Sequence, residues 1–306
     1  MTKVLIATEK PFAVVAVQGI QKICDQAGFE LVKLEKYTSH DQLIEAVADV
    51  EAIIFRSDII DKEVIDAGKN LKIVVRAGAG YDNVDLNAAT AKGICVMNTP
   101  GQNSNAVAEL GIGMMIYLNR NGYNGSAGTE LRGKTLGLHA YGNISKILAH
   151  IGKGLGMTIH AFDPYVDKII IENDGVKYEE SAEDLYSKCQ YVATNLPANA
   201  ETKASINYKL LSLMPKGATI VNTARKEIID EVSLLKMFDE RPDFRYISDI
   251  VPDCKDTIIE KYPGRYFWTP KKMGAQTAEA NINAGLAAAR QIVGYIKEGD
   301  ETFKVN

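Results

Sequence analysis

Histidine and cysteine are scarce in this chain, four of each among 306 residues, and their placement removes several kinds of chemistry. No histidine follows His160, so the chain beyond that position holds no imidazole to move a proton. Cys24, Cys95, Cys189 and Cys254 lie far apart and form no Cys-x-x-Cys pair, which argues for a reducing compartment and against disulfides or structural zinc. No His-Glu-x-x-His or clustered Cys/His spacing points to a metal, and none is expected. Charge of one sign is not in excess. The 35 Lys and Arg against 39 Asp and Glu leave a net charge of −4, with no basic surface indicated for nucleic acid. Long apolar runs are absent as well. The most apolar stretch, around Leu110 to Leu118, falls short of the roughly 20 residues a bilayer requires, and the apolar run in MTKVLIATEK is too short for a signal peptide. The expectation is a cytoplasmic protein with no nucleic-acid or membrane partner.

What is present is an ordinary globular composition, 46% hydrophobic and 24% charged, long enough for two α/β domains. Short β-branched runs alternate with helical patterns. Lys3–Ala7, Glu30–Leu34, Ala52–Phe55, Ile73–Val75 and Ile94–Met97 read as strands with helices between them, which predicts a parallel sheet. A long apolar helix over Asn103–Arg120 follows. A second series has strands at Thr135–Leu138, Met157–Ala161, Tyr191–Asn195, Thr219–Asn222 and Tyr246–Ser248, and an Ala-rich helix over Thr277–Lys297 closes the chain. Two series predict two domains with a ligand site between them, at the C-terminal ends of strands.

The stretch GKTLGLHAYGNISKILAHIGKGLGMTIHAFDP runs from strand through tight turn to helix, the context of a dinucleotide fingerprint. The fingerprint reads Ala140-x-Gly142-x-x-Ser145 instead of G-x-G-x-x-G. Gly142, where the backbone must approach a pyrophosphate most closely, is kept. Tyr141, Gly142, Asn143 and Ile144 would offer the helix N-terminus to phosphate. Asp163 ends the next strand, 21 residues after Gly142. A carboxylate there binds a ribose 2′-hydroxyl and repels a 2′-phosphate, so NAD is expected over NADP. As a bare sequence, Asp163-Pro164 also reads as a turn starter. Ala77-Gly78-Ala79-Gly80 follows a strand, and small residues there let backbone N–H groups converge on an anion, with Ala79 and Gly80 as candidates.

Three stretches carry a resemblance: VVRAGAGYDNVDLNAATAKGICVMNTPGQNSNAVAEL (Val74–Leu110), MPKGATIVNTARKEIIDEVSLL (Met214–Leu235) and TPKKMGAQTAEA (Thr269–Ala280). They are similar to the D-2-hydroxyacid dehydrogenases, and within that family to the phosphoglycerate dehydrogenases, over nearly the whole length. The resemblance implies an α/β chain of two doubly wound parallel-sheet domains. A substrate domain of residues 1–99 and 276–306 would carry an inserted Rossmann-type NAD-binding domain, residues 100–275. The end at Asn306 gives the expectation of a short form without the C-terminal regulatory domain of longer members. The implied activity is NAD-dependent oxidation of 3-phospho-D-glycerate to 3-phosphohydroxypyruvate, the first step of serine biosynthesis. A homodimer or larger homo-oligomer is implied too, often with the helix at 103–120 in the interface.

Residue by residue, the resemblance makes Arg225 the catalytic arginine. It sits in Asn222-Thr223-Ala224-Arg225, at the tip of a buried strand, where a guanidinium can pair with a carboxylate and polarise a carbonyl. Arg56 and Arg76 would contact the substrate phosphate, with Ser57, Asn105 and Gln276 adding hydrogen bonds. Asp249 would lie near the nicotinamide, and Pro197, Thr223 and Ala224 along the cofactor. The family's histidine–glutamate pair is missing: its glutamate falls beside Cys254, with Asp253 the nearest carboxylate, and its histidine falls in Thr-Pro-Lys-Lys. The expectation is a lysine, Lys271 or Lys272, as acid/base. A free lysine has a pKa of about 10.4, which cationic neighbours and desolvation would have to lower. Two rival readings remain: a reductase for an unphosphorylated 2-keto acid such as glyoxylate or hydroxypyruvate, and a catalytically silent NAD-sensing binding protein.

Overall fold

The structure, a computed structural model, describes all residues from Met1 to Asn306. The chain divides into two compact units, Met1–Asn103 with Gln276–Asn306, and Ser104–Ala275. The first boundary falls at 103/104 rather than 99/100 because Ser104 opens a helix whose apolar residues belong to the second unit's core.

The first unit is built on a five-stranded sheet in the order β2-β1-β3-β4-β5, with every pair parallel. Its strands are β1 (Lys3–Thr8), β2 (Glu30–Glu35), β3 (Ala52–Phe55), β4 (Ile73–Arg76) and β5 (Cys95–Asn98). β3 reads Ala-Ile-Ile-Phe and is buried throughout, as a parallel strand covered on both faces must be. Edge strand β2 leaves Glu30 and Lys33 exposed. Helices Val14–Ala27 and Ala278–Glu298 pack closely together: a Cβ on Gly19 would strike Leu286 Cδ2 at 2.4 Å. Ala288, Ala289 and Ile292 of the last helix share a core with Val4, Ile6 and Ile20. Thr277 caps that helix by accepting the Ala280 N–H at 3.1 Å, and Gly299 ends it at φ 71°.

The second unit has a seven-stranded parallel sheet in the order β12-β11-β10-β9-β6-β7-β8. The strands are β6 (Thr135–His139), β7 (Thr158–Phe162), β8 (Lys177–Tyr178), β9 (Tyr191–Thr194), β10 (Thr219–Asn222), β11 (Arg245–Ser248) and β12 (Tyr266–Trp268). Strand order reverses between β6 and β9, and ligands of such sheets sit outside the C-terminal strand ends at that point. β8 and β12 have no run long enough to be seen in the sequence. The apolar helix Ser104–Asn119 packs on the helix Asn143–Gly154, and its Ala108, Ile112, Met115 and Leu118 join Leu136, Leu138 and Leu148 in one core. Its apolar faces are thus largely accounted for inside its own unit. No helix is long and apolar enough to cross a membrane.

Candidate active site

β6 ends at His139, and the chain turns through Ala140 and Tyr141 into the helix that begins at Asn143. Ala140 sits at φ +76°, in the left-handed region, where the fingerprint has its first glycine. The turn therefore keeps glycine's backbone shape with a Cβ in it, at about 1–2 kcal/mol. Gly142 is the N-cap, and no side chain caps the first turn. A Cβ built on Gly142 would meet no protein atom within 4 Å. The first-turn N–H groups of a helix have no intrahelical acceptor, and with no side-chain cap and open space beside Gly142 this helix start fits a pyrophosphate. Ser145, in the third glycine's place, is buried. Its hydroxyl donates to the Ala140 carbonyl at 2.6 Å and accepts from Asn195 Nδ2 at 2.8 Å, tying the turn to the end of β9.

The Asp163 carboxylate is buried and accepts the N–H groups of Tyr141 at 2.7 Å and Tyr165 at 2.8 Å. Those bonds use two of its roughly four acceptor positions and leave the others for a hydroxyl. It is thus more than a turn starter, because it clamps the turn after β6 to the end of β7. Tyr141 contributes only backbone there; its ring is buried and its hydroxyl donates to Asp174 at 2.9 Å. His139 packs edge-on against Tyr186, and burial pushes its pKa down to about 4, so it is a neutral packed residue. Pro197 is exposed, its carbonyl accepting from the Thr202 hydroxyl.

Asn222 ends β10 and is fully buried. Its Oδ1 accepts the Ala224 N–H at 3.0 Å and its Nδ2 donates to the Arg225 carbonyl at 2.9 Å, so one amide pins both ends of the arginine loop. Thr223 is buried, its hydroxyl 3.5 Å from Asn195 Oδ1. The exposed Arg225 donates to the Ala224 carbonyl at 3.0 Å. Lys272 Nζ donates to the same oxygen at 3.0 Å. The guanidinium and the ammonium therefore meet at one acceptor, whereas Lys271 is exposed and makes no such bond.

Asp249 follows β11, fully buried. Its Oδ1 accepts from the Thr269 hydroxyl and the Met273 N–H, both at 2.8 Å, and its Oδ2 from the Gly274 N–H at 2.7 Å. Its carboxylate thus holds the lysine loop on both sides of the two lysines. Asp253 pairs with Lys226 at 2.6 Å, and Glu231 accepts the N–H groups of Asp253 and Cys254. Burial beside Glu231 pushes the Cys254 thiol up to about 12.

In the first unit, Arg56 follows β3 and Arg76 ends β4. The half-buried Arg56 lies over the Phe12 ring at 5.3 Å and donates to Asn281 Oδ1 at 2.5 Å and, at 3.4 Å, to the Lys10 carbonyl. Burial holds its pKa below the usual arginine value. Arg76 donates to the carbonyls of Arg56 at 3.0 Å and Gly80 at 2.6 Å. The expected anion nest is partly filled from within: the Ala77 and Gly78 N–H groups already bond Phe55 and Arg76 carbonyls, leaving those of Ala79 and Gly80. Ser57 and Gln276 are exposed. Asn105 lies in the second unit and donates to Glu109 within its own helix at 2.7 Å.

Residues 11–306 match the profile of the D-isomer specific 2-hydroxyacid dehydrogenase, catalytic domain. This chain belongs to that dehydrogenase family. The crystal structure of a cofactor (NAD+) bound 3-phosphoglycerate dehydrogenase in Entamoeba histolytica superimposes with a TM-score of 0.86 at 46% identity, covering 100% of this chain and 98% of that one. The D-3-phosphoglycerate dehydrogenase of Archaeoglobus fulgidus is 34% identical over 96% of this chain and 57% of its own length. The hydroxypyruvate reductase of Thermotoga maritima is 32% identical over 86% of this chain and 90% of its own. The chain spans about half the length of the curated phosphoglycerate dehydrogenases it matches.

In this family member, sequence reading passed over Asn222, Thr269, Gly274, Asn195 and Asn281. Asn222 acts on the loop that follows it, and the other four through hydrogen bonds to residues far away in the chain. The one visible signal was a polar Asn closing the apolar strand Thr-Ile-Val-Asn, where burial demands partners for every amide atom.

Proposed function

We propose that this chain is an NAD-dependent oxidoreductase that converts 3-phospho-D-glycerate to 3-phosphohydroxypyruvate, the entry to serine biosynthesis. One observation carries the reading of its chemistry: in a chain without histidine beyond His160, an amine and a guanidinium converge on one carbonyl oxygen. Both lie on loops leaving the C-terminal ends of strands, as the site of an α/β sheet does. The turn from Ala140 to Ile144 and Asp163 would hold NAD, which when bound would supply the acceptor for the C2 hydride. Lys272, in its neutral amine form, accepts the C2 hydroxyl proton, and as the ammonium returns it in the reverse direction. Arg225 pairs with the substrate carboxylate and polarises the forming carbonyl. Arg56 and Arg76, with the amides of Ala79 and Gly80, favour an anionic substrate, in line with the names of the relatives.

The test is NADH formation from 3-phosphoglycerate and from glycerate. Loss of charged hydrogen bonds to the phosphate predicts kcat/KM lower by about 10- to 100-fold for glycerate. Lys272→Ala should lower kcat by about 10²–10⁴, the usual worth of a general base. Lys271→Ala should lower it little. Near-normal turnover by Lys272→Ala would remove the lysine from the chemistry. A second reading, reduction of an unphosphorylated 2-keto acid, is favoured by the internal bonds that already engage Arg56 and Arg76 and by the likeness to a hydroxypyruvate reductase over 90% of that protein's length. Equal kcat/KM for the two substrates would select it.

A further inference from the structure

Lys272 and Arg225 lie 47 positions apart in the chain, yet they share an acceptor, and their flexible side chains do not explain why. The explanation lies beneath them. Asn222 and Asp249 stand at the ends of neighbouring parallel strands, Asn222 in register with Ser248, and the Asp249 N–H donates to the Asn222 carbonyl at 3.0 Å. Both side chains are fully buried and wholly engaged. Asn222 grips the arginine loop from both sides, through the Ala224 N–H and the Arg225 carbonyl. Asp249 grips the lysine loop from both sides, through Thr269 before the two lysines and through Met273 and Gly274 after them. Gly274 is part of the fit: a Cβ there would sit 2.9 Å from Asp249 Oδ2 and 3.1 Å from Val107.

We propose that Asn222 and Asp249 are positioning residues, which together fix the spacing between the carboxylate-binding guanidinium of Arg225 and the proton-carrying amine of Lys272. The proposal rests on the catalytic reading above for its consequence, but the clamp itself is a property of the ligand-free chain. The Asp249 carboxylate suits it because all three of its loop partners donate, and only an acceptor with two oxygens can take them. Asn222 suits the other loop because that loop presents one donor and one acceptor.

Isosteric exchanges invert these roles. Asp249→Asn must turn its NH₂ against either the Met273 or the Gly274 N–H. Asn222→Asp places an oxygen against the Arg225 carbonyl. The first readout needs no cofactor: ligand-free protein is treated with acetic anhydride, and acetylation of Lys272 and Lys271 is followed by peptide mass spectrometry. Freed from Ala224, Lys272 should react about fivefold faster in either variant, the worth of one ordinary hydrogen bond, with Lys271 unchanged. The second readout is kinetic: kcat should fall about 100-fold, as expected for a catalytic group displaced by an ångström, while KM for NAD stays within about twofold. Should Asp249→Asn fail to fold, Thr269→Val, which removes one donor, is judged by the same labelling. Unchanged Lys272 reactivity in the folded variants overturns the clamp. Faster labelling with undiminished kcat upholds the clamp and overturns the catalytic role of Lys272, so the two ideas fail separately.

Discussion

Replacing Ala140 with glycine should make the protein more stable. A left-handed backbone costs an L-residue about 1–2 kcal/mol, and Ala140 is held there at φ +76° by two hydrogen bonds, its N–H to the Phe162 carbonyl at 2.9 Å and its carbonyl from Ser145 at 2.6 Å. Glycine removes that strain but adds freedom to the unfolded chain, worth about 0.4–1 kcal/mol in the opposite sense. The net gain is about 0.5–1 kcal/mol, or roughly 1–4 °C in Tm for a unit of this size. Urea unfolding measures it, followed through Trp268, the only tryptophan, which lies in β12 of the same unit as the turn and stacks on Tyr266. The midpoint should rise with the slope unchanged. A midpoint at or below that of the parent would show that the turn stores no strain and that the lost fingerprint glycine is not compensated in the way described.

Other perturbations have equally definite outcomes. Gly142→Ala has room in the free protein and should shift stability by no more than about 0.5 kcal/mol. It should weaken NAD at least tenfold in a fluorescence titration, since the new methyl occupies the space a pyrophosphate needs. Because burial lowers the pKa of His139 to about 4, its contribution to stability is fully present above about pH 6.5. It is lost as the pH falls towards 4, when the unfolded chain takes up a proton that the folded one refuses, for up to about 3 kcal/mol. His139→Gln should flatten that decline when unfolding is compared at pH 7 and pH 5. Arg56→Lys keeps the charge but loses the planar fork engaged by Asn281. KM for the phosphorylated substrate should rise about tenfold with little change for glycerate, and an unchanged KM would take Arg56 out of the phosphate site.

The parallel sheets were readable because their strands are continuous apolar runs, as in Ala52–Phe55 and Thr219–Asn222, whose observed limits match those expected from pattern. Helix limits came close through apolar periodicity, and the structure ends these helices at the Thr277 cap and at the left-handed Gly28 and Gly299. The short β8 and β12 escaped because two or three residues carry no pattern. In the candidate site, sequence identified residue types at strand ends but not the directions of their side chains. The strand-end positions of Asp249 and Arg76 were legible, but not the bonds Asp249 makes to the lysine loop or those Arg76 makes to the Arg56 and Gly80 carbonyls. Nor could it separate two adjacent lysines, which differ only in what lies underneath them; the shared Ala224 carbonyl distinguishes Lys272.

The first unit is assembled from both ends of the chain, with the helix Ala278–Glu298 completing a core begun by β1 and the helix Val14–Ala27. On the ribosome, the contiguous unit Ser104–Ala275 can therefore finish folding while its partner is still missing a wall. Until the last helix emerges, Val4, Ile6 and Ile20 have no cover from Ala288, Ala289 and Ile292. The nascent polypeptide thus carries a sticky apolar surface for most of its synthesis, the state in which aggregation competes and chaperones bind.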